Sequence, residues 1–184
     1  MLVNADSNSL ALVVFFSKKM LRHPDARSTV AELGCDSAFH PVIGDAERGE
    51  LVDRDSTLVD RVIFCTGQVS LALRDKRVEE GLKETAIVTI EQLHPFPWIE
   101  VKEHVARFSN AKTIVWAQEE PYNGGPWQYM RDRLETVLRE ECSTSRRQLV
   151  YAGRPANAAV ATGIAKNHTV EEEKLVKDAF GLDH

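Results

Sequence analysis

Trp116-Ala117-Gln118-Glu119-Glu120-Pro121-Tyr122-Asn123-Gly124-Gly125-Pro126-Trp127 decides how the chain folds. The residues just before and into it, Thr113-Ile114-Val115-Trp116, are short, apolar and β-branched. That pattern suits a strand covered on both faces. Two acids follow, and Pro121 has no N–H with which to continue a ladder. Asn123, Gly124 and Gly125 take positive φ at little cost. Pro126 fits a first helical position, with Gly125 or Asn123 as cap. The stretch therefore reads as strand end, polar turn and helix start. In open α/β sheets, such loops at the carboxyl ends of strands hold ligands and partners.

Outward from this loop, apolar runs alternate with helical spacing. Leu10–Phe16, Arg61–Cys65, Ala86–Ile90 and Leu149–Gly153 read as strands, and Phe39–Ile43 as a weak edge strand containing Pro41. Asp25–Leu33 reads as a short helix closed by Gly34. A helix from Gln68 to Gly81 has Val69, Leu71, Ala72, Leu73 and Val78 as its inward stripe. A second, Trp98–Phe108, faces inward through Ile99, Val101, Val105 and Phe108. Between them Glu91–Pro97 is stiffened by two prolines. The longest helix, Pro126–Glu141, carries Trp127, Met130, Leu134, Val137 and Leu138 at helical spacing. The charged stretch 44–60 reads as an exposed loop, and 154–167 as a surface wrap. Thr169 with Glu172 reads as a capping box opening a terminal helix. The alternation predicts an α/β fold with three layers, a mostly parallel sheet having helices on both faces. Residues 1–9 read as an irregular lead and 10–184 as a single domain.

The 184 residues can bury one core of ordinary size. A net charge of -5 argues against a nucleic-acid partner, whose phosphates call for basic excess. No apolar run approaches the roughly 20 residues of a membrane helix. Cys35, Cys65 and Cys142 are odd in number and lack metal-ligand spacing, as free thiols in a reducing compartment would.

Three readings stand for Glu119 and Glu120: general acid or base, docking contact for a basic partner, and solvated acidic turn. Catalysis has the least support, because no nucleophile–base pair accompanies them. Lys18, Lys19, Arg22 and His23 form the one dense basic cluster. It reads equally as an anion site and as a solvated face. Thr66-Gly67 reads as a tight turn rather than a phosphate loop, and His94 as a packed turn histidine. Arg154, at a strand end, is expected to pair with Glu119 or Glu120. Trp127 is expected to anchor the long helix in the core, which leaves Glu119, Glu120, Asn123, Trp127 and Arg154 as an interface or structural loop.

Several stretches together resemble one family. They are Lys18-x-x-Leu21-Arg22-His23-Pro24, Phe64-Cys-Thr-Gly67, Ile90-Glu-Gln-Leu-His-Pro-Phe-Pro97, Gln118-Glu-Glu-Pro-x-Asn-x-Gly-x-Trp127, Tyr151-Ala-Gly-Arg154 and Ala161-Thr-Gly163…His168…Ala179-Phe180. From about Leu12 to Leu182 the chain resembles the C-terminal domain of the thiamine-diphosphate-dependent first component of 2-oxoglutarate dehydrogenase. The resemblance implies a transketolase C-terminal-like fold and a homodimer in the mitochondrial matrix, or in the cytoplasm if bacterial. The full-length enzyme of that family decarboxylates 2-oxoglutarate on thiamine diphosphate with Mg²⁺. It passes the succinyl group to a lipoyl-bearing succinyltransferase. A cousin acting on 2-oxoadipate has similar motifs. The family's cofactor pocket belongs to upstream domains, and this sequence has no Gly-Asp-Gly motif. The implied role is thus structural, dimerising and regulatory, with no catalytic residue and no cofactor in this chain. Lys18, Arg22 and His23, from the basic cluster, are the candidate anion- or effector-binding residues. Ser9-Leu10-Ala11 stands where members tend to carry basic residues associated in some with acyl-CoA regulation, and Lys19 where serine is common. The rival reading is a stand-alone, non-catalytic module that binds such a dehydrogenase complex.

Overall fold

The structure is a computed structural model that describes residues 18, 20–24, 26–30, 33–35, 37–45, 56–141 and 147–182. It divides into two compact units, Met1–Ser37 and Ala38–His184. The expected strand Leu10–Phe16 lies outside the described residues. In the first unit Met20–Arg22 forms a single 3-10 turn. The described residues 26–30 are not helical, so the helix expected over Asp25–Leu33 does not form there.

The second unit is a five-stranded sheet: β1 (Val42–Ile43), β2 (Arg61–Cys65), β3 (Thr85–Ile90), β4 (Thr113–Pro121) and β5 (Gln148–Arg154). Its helices are α1 (Val69–Glu80), α2 (Trp98–Arg107), α3 (Trp127–Glu141) and α4 (Ala165–Phe180). The strand order is β1-β3-β2-β4-β5. Strands β2 to β5 pair in parallel, and β1 pairs antiparallel at the edge. There Pro41 offers only its carbonyl, which accepts the N–H groups of Glu91 and Gln92.

The alternation of side chains along each strand builds two cores. Val62, Phe64, Val88, Ile114 and Trp116 face α2 and α3. Ile63, Cys65, Ile87, Val115 and Ala117 face α1 and α4. The helices thus cover both faces, as the sequence pattern predicts. The stripe of α3 is buried as expected, from Trp127 to Leu138.

Four details differ from the expectation. Val78 is exposed, and the inward side of α1 instead carries Arg74 and Arg77. Arg77 Nη1 meets the buried Asp45 carboxylate at 2.6 Å, and Asp45 also accepts the Ile87 N–H at 3.0 Å. Asp45 therefore belongs to the core rather than to an exposed loop. On α2, Ile99 points to solvent and His104 is buried in its stead. Finally, α4 starts at Ala165. Thr169 does not cap it; its hydroxyl donates back to the Ala165 carbonyl at 3.2 Å. Among the described residues, no helix is long and apolar enough to cross a membrane.

Candidate functional site

The chain leaves β2 for β3 on one side and then crosses to β4 on the other, so the order reverses between β2 and β4. Open α/β sheets form a crevice at such a point, outside the carboxyl ends of the strands. Here Gln68, just after β2, reaches Glu119, near the end of β4. Its Nε2 donates to both carboxylate oxygens at 2.9 Å. Although Gln68 occupies the N-cap of α1, its side chain makes no capping bond.

The end of β4 is irregular. Ala117 pairs with Ala152 and Pro121 with Arg154, so four steps on β4 match two on β5. Such a bulge re-aims the side chains within it. Pro121 therefore closes the strand rather than lying beyond it. The ladder tolerates the missing N–H because the Tyr122 N–H reaches the Arg154 carbonyl at 3.0 Å.

Gln118 lies inside the bulge and is 1% exposed. Its Oε1 accepts from Trp116 Nε1 at 2.9 Å and from the Trp127 N–H at 2.8 Å. Its Nε2 donates to the carbonyls of Glu120, Pro121 and Gly124 at 3.3, 3.2 and 2.9 Å. One amide thus ties strand, turn and helix start together, and fully serves the helix-terminal N–H of Trp127. Gly125 has φ +62, and a Cβ there would sit 2.8 Å from the Glu120 Cβ. Tyr151 closes the other side, its hydroxyl donating to the carbonyls of Glu120 and Arg154 at 3.1 and 3.0 Å. Burial pushes that phenol up to about 12. Its ring packs on Trp127 and Tyr122 at 5.2 and 5.0 Å between centroids. Trp127 itself is 4% exposed and sits in the core, as expected.

Arg154 partners neither Glu119 nor Glu120. It pairs with Glu171 of α4, Nε to Oε2 at 2.8 Å, and its Nη1 donates to the Val160 carbonyl at 2.9 Å. The Thr162 hydroxyl donates to the same Glu171 oxygen. Asn123, exposed, accepts the Asn157 N–H at 2.9 Å and donates to the Asn157 carbonyl at 3.1 Å, pinning the stretch after β5 to the loop. Glu119, Arg154, His168, Glu171, Glu172 and Leu175 line a small open cleft between the strand ends and α4. In the first unit Lys18 and Arg22 are exposed and His23 is half-buried. His94 contacts the Tyr129 hydroxyl through Nδ1 at 3.1 Å, but its ring is exposed rather than packed away. Sequence reading gave no bonding role to Gln68, Gln118, Tyr151 or Glu171. Gln118 and Tyr151 stand in the motifs quoted for the resemblance, but their spacing does not mark what they bond.

Burial raises the Glu119 carboxyl above its ordinary value of 4.5. The Gln68 hydrogen bonds oppose the rise, Glu172 and Glu120 add to it by repulsion, and His168 opposes it. A raised carboxyl binds its proton more tightly in the folded state. Its stabilising contribution is complete below the unfolded value and is lost as pH climbs through the folded one. Glu119→Gln removes that loss and keeps an acceptor for Gln68. The variant should therefore gain stability relative to the parent between about pH 4 and about pH 7. Urea midpoints of both proteins at the two pH values check this; a constant difference would refute it.

A family model described as 2-oxoglutarate dehydrogenase C-terminal matches residues 27–180. The chain is 40% identical over 169 residues to the mitochondrial 2-oxoglutarate dehydrogenase of Schizosaccharomyces pombe, covering 92% of this chain and 16% of that protein. It is 42% identical over 171 residues to the 2-oxoglutarate dehydrogenase E1 component of Azotobacter vinelandii, covering 92% and 17%. A probable 2-oxoadipate dehydrogenase complex component E1 homolog of Dictyostelium discoideum is 37% identical over 171 residues, covering 93% and 18%. Among solved structures, a split-gene transketolase in the form of an inactive beta4 tetramer aligns with a TM-score of 0.48 and 19% identity, over 82% of this chain and 45% of that one. The chain thus spans about a sixth of the length of the curated relatives it matches. The match over 27–180 runs through the strand-end loop and all four helices, and by it the chain belongs to the 2-oxoglutarate dehydrogenase C-terminal family.

Proposed function

We propose that this chain is the C-terminal, structural and dimerising domain of the first component of a 2-oxoglutarate dehydrogenase. In that enzyme 2-oxoglutarate is decarboxylated and succinyl is passed to a lipoyl-bearing succinyltransferase. It works in the mitochondrial matrix, or in the cytoplasm of a bacterium. The substrate reading follows the relatives named for 2-oxoglutarate, at 40% and 42% identity.

The observation that carries the structural role is the closure of the strand-end loop on itself. Gln118 spends both ends of its amide inside the loop, and Glu119 is held by Gln68. Thiamine diphosphate with Mg²⁺ does not fit these residues. A diphosphate in the cleft would meet the carboxylates of Glu119, Glu171 and Glu172, while Arg154 is already engaged by Glu171. Among the described residues, no group of three or more His, Cys, Asp or Glu side chains is placed to hold a metal. The chemistry of decarboxylation therefore belongs to other parts of the enzyme.

The expected result is that the 184 residues alone give no heat on titration with thiamine diphosphate and Mg²⁺. Micromolar binding would overturn the assignment. In the full-length enzyme, kcat/KM should be higher for 2-oxoglutarate than for 2-oxoadipate, and the reverse order would move the substrate to the six-carbon acid.

A further inference from the structure

Trp98 and Ile99 are 46% and 71% exposed. Among the described residues they are the only two consecutive large apolar side chains that both face solvent. Singly exposed apolar residues are ordinary, but an adjacent pair that includes an indole is a different matter.

The mounting of this pair is rigid. Pro95 and Pro97 fix two φ angles immediately before it. The Trp98 N–H donates to the Phe96 carbonyl at 2.9 Å. The Trp98 ring stands edge-on to Phe96, with centroids 4.6 Å apart, and Phe96 is itself buried at 6%. The indole is thus held in one orientation before anything touches it. A pre-ordered aromatic loses little entropy on docking, and tryptophan is enriched where binding energy concentrates.

We infer that Trp98 and Ile99, at the start of α2, form a docking surface for a preceding segment of the same polypeptide. The inference rests on the proposed function, in which this domain follows a longer chain. The match to a C-terminal family, with about a sixth of its relatives' length covered, leaves most of such a protein outside these residues.

A second copy is the weaker occupant on charge. A two-fold contact brings a patch onto itself. Glu103, one helical turn beyond Ile99, is exposed, and Glu100 lies in the first turn of α2. Lys102, one turn beyond Trp98, is already drawn to Glu140 and Glu141 at 3.5 and 3.1 Å. Self-association here would oppose carboxylates to carboxylates, at a chain charge of -5. An apolar segment with a neutral or basic rim is the complementary partner.

The test uses the full-length protein carrying Ile99→Cys, a change at an exposed position that leaves the core intact. Maleimide labelling of residue 99 is followed by peptide mass spectrometry, which separates it from the native cysteines. Labelling should run roughly tenfold or more slower than in the denatured protein and be unaffected by dilution. Labelling as fast as in the denatured protein overturns the inference. Protection that disappears when the protein is diluted to monomers also overturns it, and assigns the surface to a second copy. Decarboxylation of 2-oxoglutarate by the unsubstituted full-length protein is measured alongside. A failure of the proposed function then shows as absent activity, separately from the labelling result.

Discussion

Trp127→Ala should destabilise the domain by about 3–5 kcal/mol, the usual cost of truncating a buried aromatic. The indole is 4% exposed and packs on Tyr151 at 5.2 Å and Tyr122 at 6.2 Å. It also seals the first turn of α3 against the same core as Trp116 and Met130. Removing it opens a cavity that the sheet cannot collapse into, because Trp116 lies in the strand and is held by Gln118. For a domain of this size each kcal/mol moves the melting temperature by roughly 2–4 °C. Differential scanning calorimetry should accordingly place the variant about 6–20 °C below the parent. A shift within that of Glu119→Gln would mean that Trp127 does not anchor the helix.

Gln118→Leu should approach the same magnitude by a different route. The substitution keeps the volume of the side chain and removes five hydrogen bonds. It leaves the Trp116 Nε1–H and the Trp127 N–H without the acceptor they share. A buried donor stripped of its partner costs about 1–3 kcal/mol, which puts the pair at about 2–6 kcal/mol. The carbonyls of Glu120, Pro121 and Gly124 lose their donor too, although Tyr151 still serves Glu120 and the Gly124 N–H still serves Pro121. Gln118→Glu separates the two halves of the amide. Its carboxylate still accepts from both N–H groups but turns an oxygen toward three carbonyls. Equilibrium unfolding in urea should find both variants well below the parent. Were Gln118→Leu to cost less than 1 kcal/mol, roughly one ordinary hydrogen bond, the amide would not be what closes the loop.

The two variants also show which parts of the structure were legible in the sequence. Strands β2 to β5 and helix α3 are read from continuous apolar runs and from 3.6-residue spacing, signals that burial on both sheet faces imposes directly. The inward side of α1 was not. Arg74 and Arg77 look like solvent residues in any hydropathy pattern, and Val78 looks like core. Arg77 is buried because a carboxylate 32 residues away, Asp45, meets it there. Ile99 was misplaced in the same way, since one apolar residue at the edge of a helical stripe can fall on either side. The start of α4 was set too late because Thr169 and Glu172 have the spacing of a capping box inside a helix already under way. At the site, the loop and the burial of Trp127 were legible. The partners were not: Gln68 and Gln118 act through backbone and carboxylate groups brought together by the crossover and the bulge, and no spacing along the chain encodes that meeting. Arg154 found Glu171 rather than Glu119 for the same reason.

The two cores close at different moments in the life of the chain. The face covered by α2 and α3 is assembled from residues up to Leu138 and the strands beside them. The opposite face needs Leu175, Val176, Ala179 and Phe180, and Arg61 at the start of β2 reaches the Ala179 carbonyl across 118 residues of sequence. During synthesis at about 5–20 residues per second, that second face stays open for several seconds after the first can form. A ribosome that stalls before α4 emerges would therefore hold out a second face that α1 alone covers, with Val115, Ala117 and Ala152 still lacking Leu175, Val176, Ala179 and Phe180. Exposed apolar surface of that kind is aggregation-prone, and here it persists until α4 arrives.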